Sequence, residues 1–209
     1  MAERKQARRR SILDAAIALF GRLGYHSTTV PLIVAEARSS TGAFYLYFRN
    51  KEDAYIAALK ELEVRLSGAL NSAAARETRT ALQMGAVVKG FVLWLAEHPA
   101  EARILADAAT LGGRIEEQRR TIIESHVRSV SVALEHVAPW FDPQDRSIIA
   151  RCWVGSVLEA ALAWMGSPPA QRPEAERLAA MVSDFNLRGA ALATGKTDTR
   201  PGALQSRTT

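Results

Sequence analysis

Residues Ser39 to Asp53, SSTGAFYLYFRNKED, gather side chains that suit a polyanionic partner. Four rings, Phe44, Tyr45, Tyr47 and Phe48, fall within five positions, and Arg49 and Lys51 follow at once. Phe44 and Phe48 stand four apart on one helical face, so they suit anchors against Phe20 and Ile33. Tyr45 and Tyr47 then point elsewhere, with hydroxyls free for phosphate oxygens. Thr41, Gly42 and Ala43 are small enough to let a helix N-terminus come close to base edges. Lys51 falls in the first turn of the next helix, where ammonium and helix N-terminus can meet one phosphate together. No comparable cluster suits catalysis. His26, His98, His126 and His136 lack metal-ligand spacing. There is no glycine-rich phosphate loop and no G-x-S-x-G. Cys152 lies in the apolar run IIARCWVGSVL, where a buried, inert thiol is the expectation. Its neighbour Arg151 faces about 100° away on a helix. Neither enzyme activity nor a metal or cofactor is expected.

The elements that must position these residues read as helices. Long stretches rich in Ala, Leu, Glu and Arg favour helix, no alternating β-branched run stands out, and the prolines fall between or at the starts of periodic stretches. The chain is expected to be all-α. The first helix spans roughly 4–23, with Ile12, Leu13, Ala16, Leu19 and Phe20 as its apolar stripe and Gly24 as terminator. STTVPLIVAEA predicts a short second helix with Thr28 as N-cap, and SSTGAFYLYF a third capped by Ser40. Asn50 opens a fourth helix that runs to about residue 75. Further helices are expected at roughly 79–97, 99–110, 113–137, 144–166 and 173–194. Two short helices joined by a tight turn and braced by a longer one describe a helix-turn-helix, whose second short helix enters the major groove. Thr29, Arg38, Ser40, Thr41, Gly42, Ala43, Tyr45, Leu46, Tyr47 and Lys51 are its candidate DNA-facing residues. The basic arm Arg4, Lys5, Arg8, Arg9 and Arg10 is either a solvated helix end or a further phosphate or minor-groove contact.

Residues 11–53 resemble the DNA-binding domain of TetR-family transcriptional regulators. The match runs through Ile12-Leu13, Ala15-Ala16, Leu19-Phe20, Gly24, Thr28-Thr29, Ser40, Gly42, Phe44-Tyr45, Tyr47-Phe48 and Lys51-Glu52, in order and spacing. The turn before the recognition segment departs from the family's Ala-Gly-Val-Ser and reads Ala37-Arg38-Ser39-Ser40. Positive φ at Arg38 would cost roughly 1 kcal/mol relative to glycine. Ser39 gives up packing there, and Val34 is bulkier than the family's usual alanine.

In the larger half, IIARCWVGSVLEAALAWM is apolar almost all round, so it must be covered on more than one side. The resemblance implies that the last two helices of each subunit form a four-helix dimer interface, with a two-fold axis matching a palindromic operator. Arg151, Gly155, Glu159, Leu162, Met181 and Phe185 are the dimer-interface candidates. Arg151 and Glu159 either pair across the axis or stand as separate rim charges. The middle helices would enclose an effector pocket, with Phe91, Trp94, Leu95, His98, Leu105, Trp153, Leu158 and Trp164 as candidate lining or as ordinary core, and with His98, just before Pro99, more a helix-end residue than a ligand contact.

The organisation expected is a helix-turn-helix domain at 1–50, a helical effector-binding and dimerisation domain at 51–195, and a disordered tail at 196–209. A net charge of +5 and pI near 9.7 favour an anionic partner. No signal peptide stands out, and no 18 consecutive residues are apolar, so a cytoplasmic protein with no membrane partner is expected. The function expected is a homodimeric, ligand-responsive transcriptional repressor that binds double-stranded DNA and is released by a partly apolar small-molecule effector. The competing readings are a TetR-like small-molecule or partner-binding protein without site-specific DNA binding, and a basic RNA-binding or architectural protein.

Overall fold

A computed structural model of the chain describes residues 2–192. The described residues form nine α-helices and one 3-10 turn, with no strand among them. In order these are α1 (Ala2–Leu23), α2 (Val30–Glu36), α3 (Thr41–Tyr45), α4 (Lys51–Ala74), α5 (Thr80–Glu97), α6 (Pro99–Ala108), α7 (Gly113–Val137), α8 (Pro143–Gly166), the 3-10 turn Pro169–Gln171 and α9 (Ala175–Leu192). The tail expected to be disordered, 196–209, lies outside the described residues.

Local chemistry explains most of these boundaries. Gly24 ends α1 in the left-handed region, φ 82°, with its N–H on Phe20 O at 2.9 Å. The expected cap of α2 moves by one residue. Thr28 is buried and its hydroxyl donates to Gly24 O at 2.7 Å. Thr29, with extended backbone, accepts the Leu32 N–H instead. Thr28 is spent on closing the preceding turn, so the hydroxyl beside it does the capping. Ser40 caps α3 by accepting from Ala43 N (3.2 Å), and Asn50 caps α4 by accepting from Asp53 N (2.9 Å), both as expected. Asp142 accepts two N–H groups ahead of α8. Between α2 and α3, Arg38 takes φ 47°, so the left-handed strain falls on this non-glycine residue.

Three apolar clusters hold the helices together. The first joins Ile12 and Phe20 of α1, Ile33 of α2, Phe44 of α3 and Phe48 just beyond it to Tyr55, Leu59 and Leu62 of α4 and to Ile104 and Ala108 of α6. The second packs α5, α7, α8 and α9, with Val88, Leu134, Trp153, Val157 and Ala179 among its members. The third, between them, includes Leu66, Leu70, Trp94, Leu95 and Ala161. The first cluster runs unbroken from α1 through α4 to α6, so the short helices share their core with the longer ones.

Helix α8 is long and apolar enough to cross a membrane by length and composition alone, and only 28% of its most apolar stretch is buried within the chain. Trp153, Val154, Val157 and Ala161 turn inward, whereas Arg151, Cys152, Gly155 and Glu159 are exposed. The buried thiol expected at Cys152 is therefore corrected. An almost uniformly apolar helix gives no sign of which side its own core will take, and Cys152 lies on the uncovered side.

Candidate nucleic-acid interface and effector cavity

The short helix α3 is oriented by its two phenylalanines. Phe44 and Phe48 are buried, their ring centroids 5.5 Å apart, in the cluster that contains Phe20 and Ile33. Helical geometry then throws Tyr45 and Leu46 outward, 55% and 76% exposed. Thr29, Arg38, Ser40, Thr41 and Gly42 are exposed alongside them, and Tyr47 is half-buried. Ala43 departs from the expected DNA-facing set. It is 8% exposed and packs in the core. Lying one residue before Phe44 on a single-turn helix, it shares the inward side, so its small size serves packing.

Lys51 carries a second duty. Its Nζ donates to Tyr25 O (2.8 Å) and His26 O (3.4 Å) and sits 4.3 Å from the centre of the Tyr25 ring. It thereby ties the start of α4 to the loop after α1. Desolvation in this niche pulls the ammonium below the ordinary lysine range. Two of its three N–H groups are engaged, which leaves one for a phosphate.

Beside it, Arg49 grips Asp53 through Nε (2.6 Å) and Nη2 (3.1 Å), and Arg114 of α7 reaches the same carboxylate at 2.5 Å. Hydrogen bonds from Arg49, then Arg114, hold the Asp53 carboxyl well below the usual range against the opposing effect of burial. On the basic arm, the Arg9 guanidinium lies 5.4 Å from the Phe48 ring centre, and Arg10 pairs with Asp14 (3.0 Å) and Glu61 (2.9 Å).

A cavity of about 190 Å³ opens between α4, α5, α7 and α8. Phe91, Leu95, Leu105, Trp153 and Leu158 line it, as the sequence suggests. Three other candidates do not. Trp94 is core, and His98 stacks on it at 4.7 Å while its Nδ1 meets Trp94 O at 2.9 Å. The Trp164 indole donates to Pro173 O at 2.8 Å and carries Arg172 over its ring, stapling the loop between α8 and α9. Each of these rings is held by a neighbour close in the chain, which turns it from the cavity.

Leu162, placed at the dimer surface by sequence, instead lines the cavity. Helix α8 turns it through the same side as Leu158 and Ala161. Within the chain, Arg151 pairs with Glu124 of α7 (2.5 and 2.8 Å), because α7 packs alongside α8. Gly155 and Glu159 are exposed, as are Met181 and Phe185 at 57% and 70%.

Sequence reasoning missed the walls supplied by α4 and α7, including Glu63, Arg119, Ile122, His126 and Ser129. A signal was available. Leu59, Glu63, Leu66 and Leu70 share one helical face, as do Ile122, Ile123, His126 and Val130. An ionisable residue inside an apolar stripe marks a place where helices part. Among the described residues no group of three or more His, Cys, Asp or Glu is placed to hold a metal.

Helix α6 links the two regions. Leu105, Ala108 and Ala109 border the cavity. From the same helix Arg103 donates to Arg22 O at 2.9 Å, Asp107 accepts from Tyr25 N, and Ile104 O accepts the buried Tyr55 hydroxyl at 2.7 Å. Gly21 fits against Ala100 so closely that a Cβ there would lie 2.7 Å from the alanine methyl.

Comparison with known proteins gives a consistent picture. Residues 12–58 match the family described as bacterial regulatory proteins, tetR family. The fatty acid metabolism regulator protein of Bacillus subtilis (strain 168) is 39% identical over 59 residues, 28% of this chain and 30% of that protein. The HTH-type transcriptional regulator HbdR of Aromatoleum sp. (strain CIB) is 42% identical over 57 residues, 27% of this chain and 25% of that one. These alignments thus cover less than a third of either relative. Over the whole fold, the transcriptional regulator FadR from Bacillus subtilis, solved in complex with stearoyl-CoA, superposes with a TM-score of 0.74 at 20% identity, covering 86% of this chain and 98% of that one.

Proposed function

We propose that this chain, a member of the TetR family of bacterial transcriptional regulators, binds a palindromic operator as a homodimer and releases it when a small molecule fills the α4–α8 cavity. The observation that carries the reading is the outward face of α3. A Ser40-capped helix, pinned from behind by Phe44 and Phe48, offers Thr41, Gly42, Tyr45 and Leu46 to a groove. Tyr47, Arg38 and the remaining Lys51 N–H take flanking phosphates. In this reading residues 1–50 read DNA and the helices beyond bind effector and partner. The regulator acts in the cytoplasm, as a repressor and not as an enzyme.

The dimer rests on α8 and α9. Ile148, Met181 and Phe185 expose large apolar area on helices whose other side is already packed, which suits a self-complementary surface. Effector response would run through α6, which borders the cavity at one side and clamps the end of α1 at the other. A ligand that favours another seat for α6 shifts the spacing of the two recognition helices.

A second reading keeps the fold without site-specific DNA binding. The left-handed Arg38 favours it, because strain in the turn before α3 weakens the docking geometry. Retention of fragmented genomic DNA at two salt concentrations separates the two. Recovery of a few palindromic fragments that survives the higher salt is the expected outcome. Uniform retention, lost with salt, would leave the basic arm as the whole of the DNA contact.

A further inference from the structure

The two charged residues of the α4–α8 cavity wall, Glu63 and Arg119, are not equally engaged. Glu63 sits among Leu59, Leu66 and Leu70 on the cavity side of α4. Its carboxylate accepts the Ser67 hydroxyl at 2.8 Å and faces His126 Nε2 at 3.2 Å. Among the described residues no lysine or arginine lies within ion-pair distance of it; His126 is its one partner of that kind, charged only when protonated. The other charged lining residue, Arg119, is held by Glu116 through two hydrogen bonds, at 2.6 and 3.0 Å. Apart from Ser129 and Met165, the remaining walls are aliphatic, with the rings of Phe91 and Trp153. A carboxylate at the wall of an apolar cavity attracts a cation that enters it, because the Coulomb attraction strengthens as water is excluded.

Resting on the effector reading of this cavity, we propose that its ligand is a lipophilic cation, an amine whose ammonium meets Glu63 and whose hydrocarbon part fills the apolar walls. The charge is complementary, and the apolar walls suit the hydrocarbon part. A carboxylate or other anionic head would stand beside Glu63 with Arg119 already engaged. The volume suits a small molecule, since about 150 Å³ admits a benzene ring.

The test uses the purified full chain at pH 8 with three probes that share one tail: octylammonium, 1-octanol and octanoate. Binding is followed by calorimetry and by tryptophan fluorescence, with Trp153 in the cavity wall. Octylammonium is expected to bind at least tenfold tighter than 1-octanol, and octanoate weakest. Glu63→Gln keeps the shape and the Ser67 contact but removes the charge. It should erase the ammonium's advantage and leave 1-octanol within about twofold. No binding of octylammonium, equal affinity for amine and alcohol, preference for octanoate, or a preference that persists in Glu63→Gln would each overturn the proposal. The wild-type series decides the matter even if the variant folds poorly. DNA release is scored separately. Binding of the amine without release would sink the effector reading and keep the cation site, whereas release by a ligand that shows no dependence on Glu63 would sink the site alone.

Discussion

The α3 region and the α8–α9 pair are both dense in large apolar side chains, and the fold treats them oppositely. Around α3, Phe44 and Phe48 vanish into a core completed by α1, α2, α4 and α6, and the exposed remainder is short. On α8 and α9, one side joins the core through Trp153, Val157 and Leu178, while Ile148, Met181 and Phe185 stay outside. The same side-chain chemistry is thus a completed interior in one place and an unfinished one in the other. Apolar content measures how much surface wants cover, not which molecule supplies it.

The sharpest way to break that contrast is to remove one group from each side. Phe44→Ala should cost about 3–5 kcal/mol in chemical denaturation, because the side chain is wholly buried. A cost below about 1 kcal/mol would mean that α3 is not anchored as described. Next in size, the double change Met181→Glu and Phe185→Glu should leave monomer stability within about 0.5 kcal/mol, since both residues are exposed. It should weaken self-association by roughly 2 kcal/mol or more in sedimentation equilibrium. A dimer of unchanged affinity would remove α9 from the interface.

Lys51→Ala tests the division of labour at α4. Losing its bonds to Tyr25 O and His26 O should lower stability by about 1–2 kcal/mol. If its third N–H meets a phosphate, the slope of log affinity against log salt should also fall by about one. A loss of stability with an unchanged slope would make Lys51 a brace only. Tyr47→Phe should weaken binding across sequences without that change in slope. Arg38→Gly, smaller again, should stabilise the chain by about 1 kcal/mol by relieving φ 47°, read as a rise in denaturation midpoint.

The smallest effect belongs to Asp53, held by Arg49 and Arg114. Its folded pKa is depressed, so its contribution is fully present above the unfolded value of about 3.9 and is lost as pH falls toward the folded one. Asp53→Asn should therefore cost on the order of 0.5–1 kcal/mol at pH 7, and the gap to wild type should close in strong acid. A gap independent of pH would assign the effect to packing instead.

Much of this molecule was legible before folding, because the signals are local. Gly24, Ser40, Asn50 and the prolines mark helix ends through hydrogen bonds and fixed dihedrals that span a few residues. The spacing of Phe44 and Phe48 gave the inward side of α3, and Arg38 stood out as the residue to bear a positive φ. What needed three dimensions was every choice between two covered sides. Trp94 and Trp164 carry the same apolar signature as Phe91 and Trp153, and only packing sends the first two away from the cavity, whereas His98 is marked locally as a helix end by Pro99. Leu162 and Cys152 exchanged sides for the same reason: a helix apolar around its circumference has no pattern to orient it. Glu63 and His126 are 63 residues apart, and no short-range rule joins them. Local hydrogen bonding and periodicity therefore determined the helices and their ends. The facing of α8, the lining of the cavity and the meeting of Glu63 with His126 were decided by long-range packing, where each side chain's burial depends on helices remote in the chain.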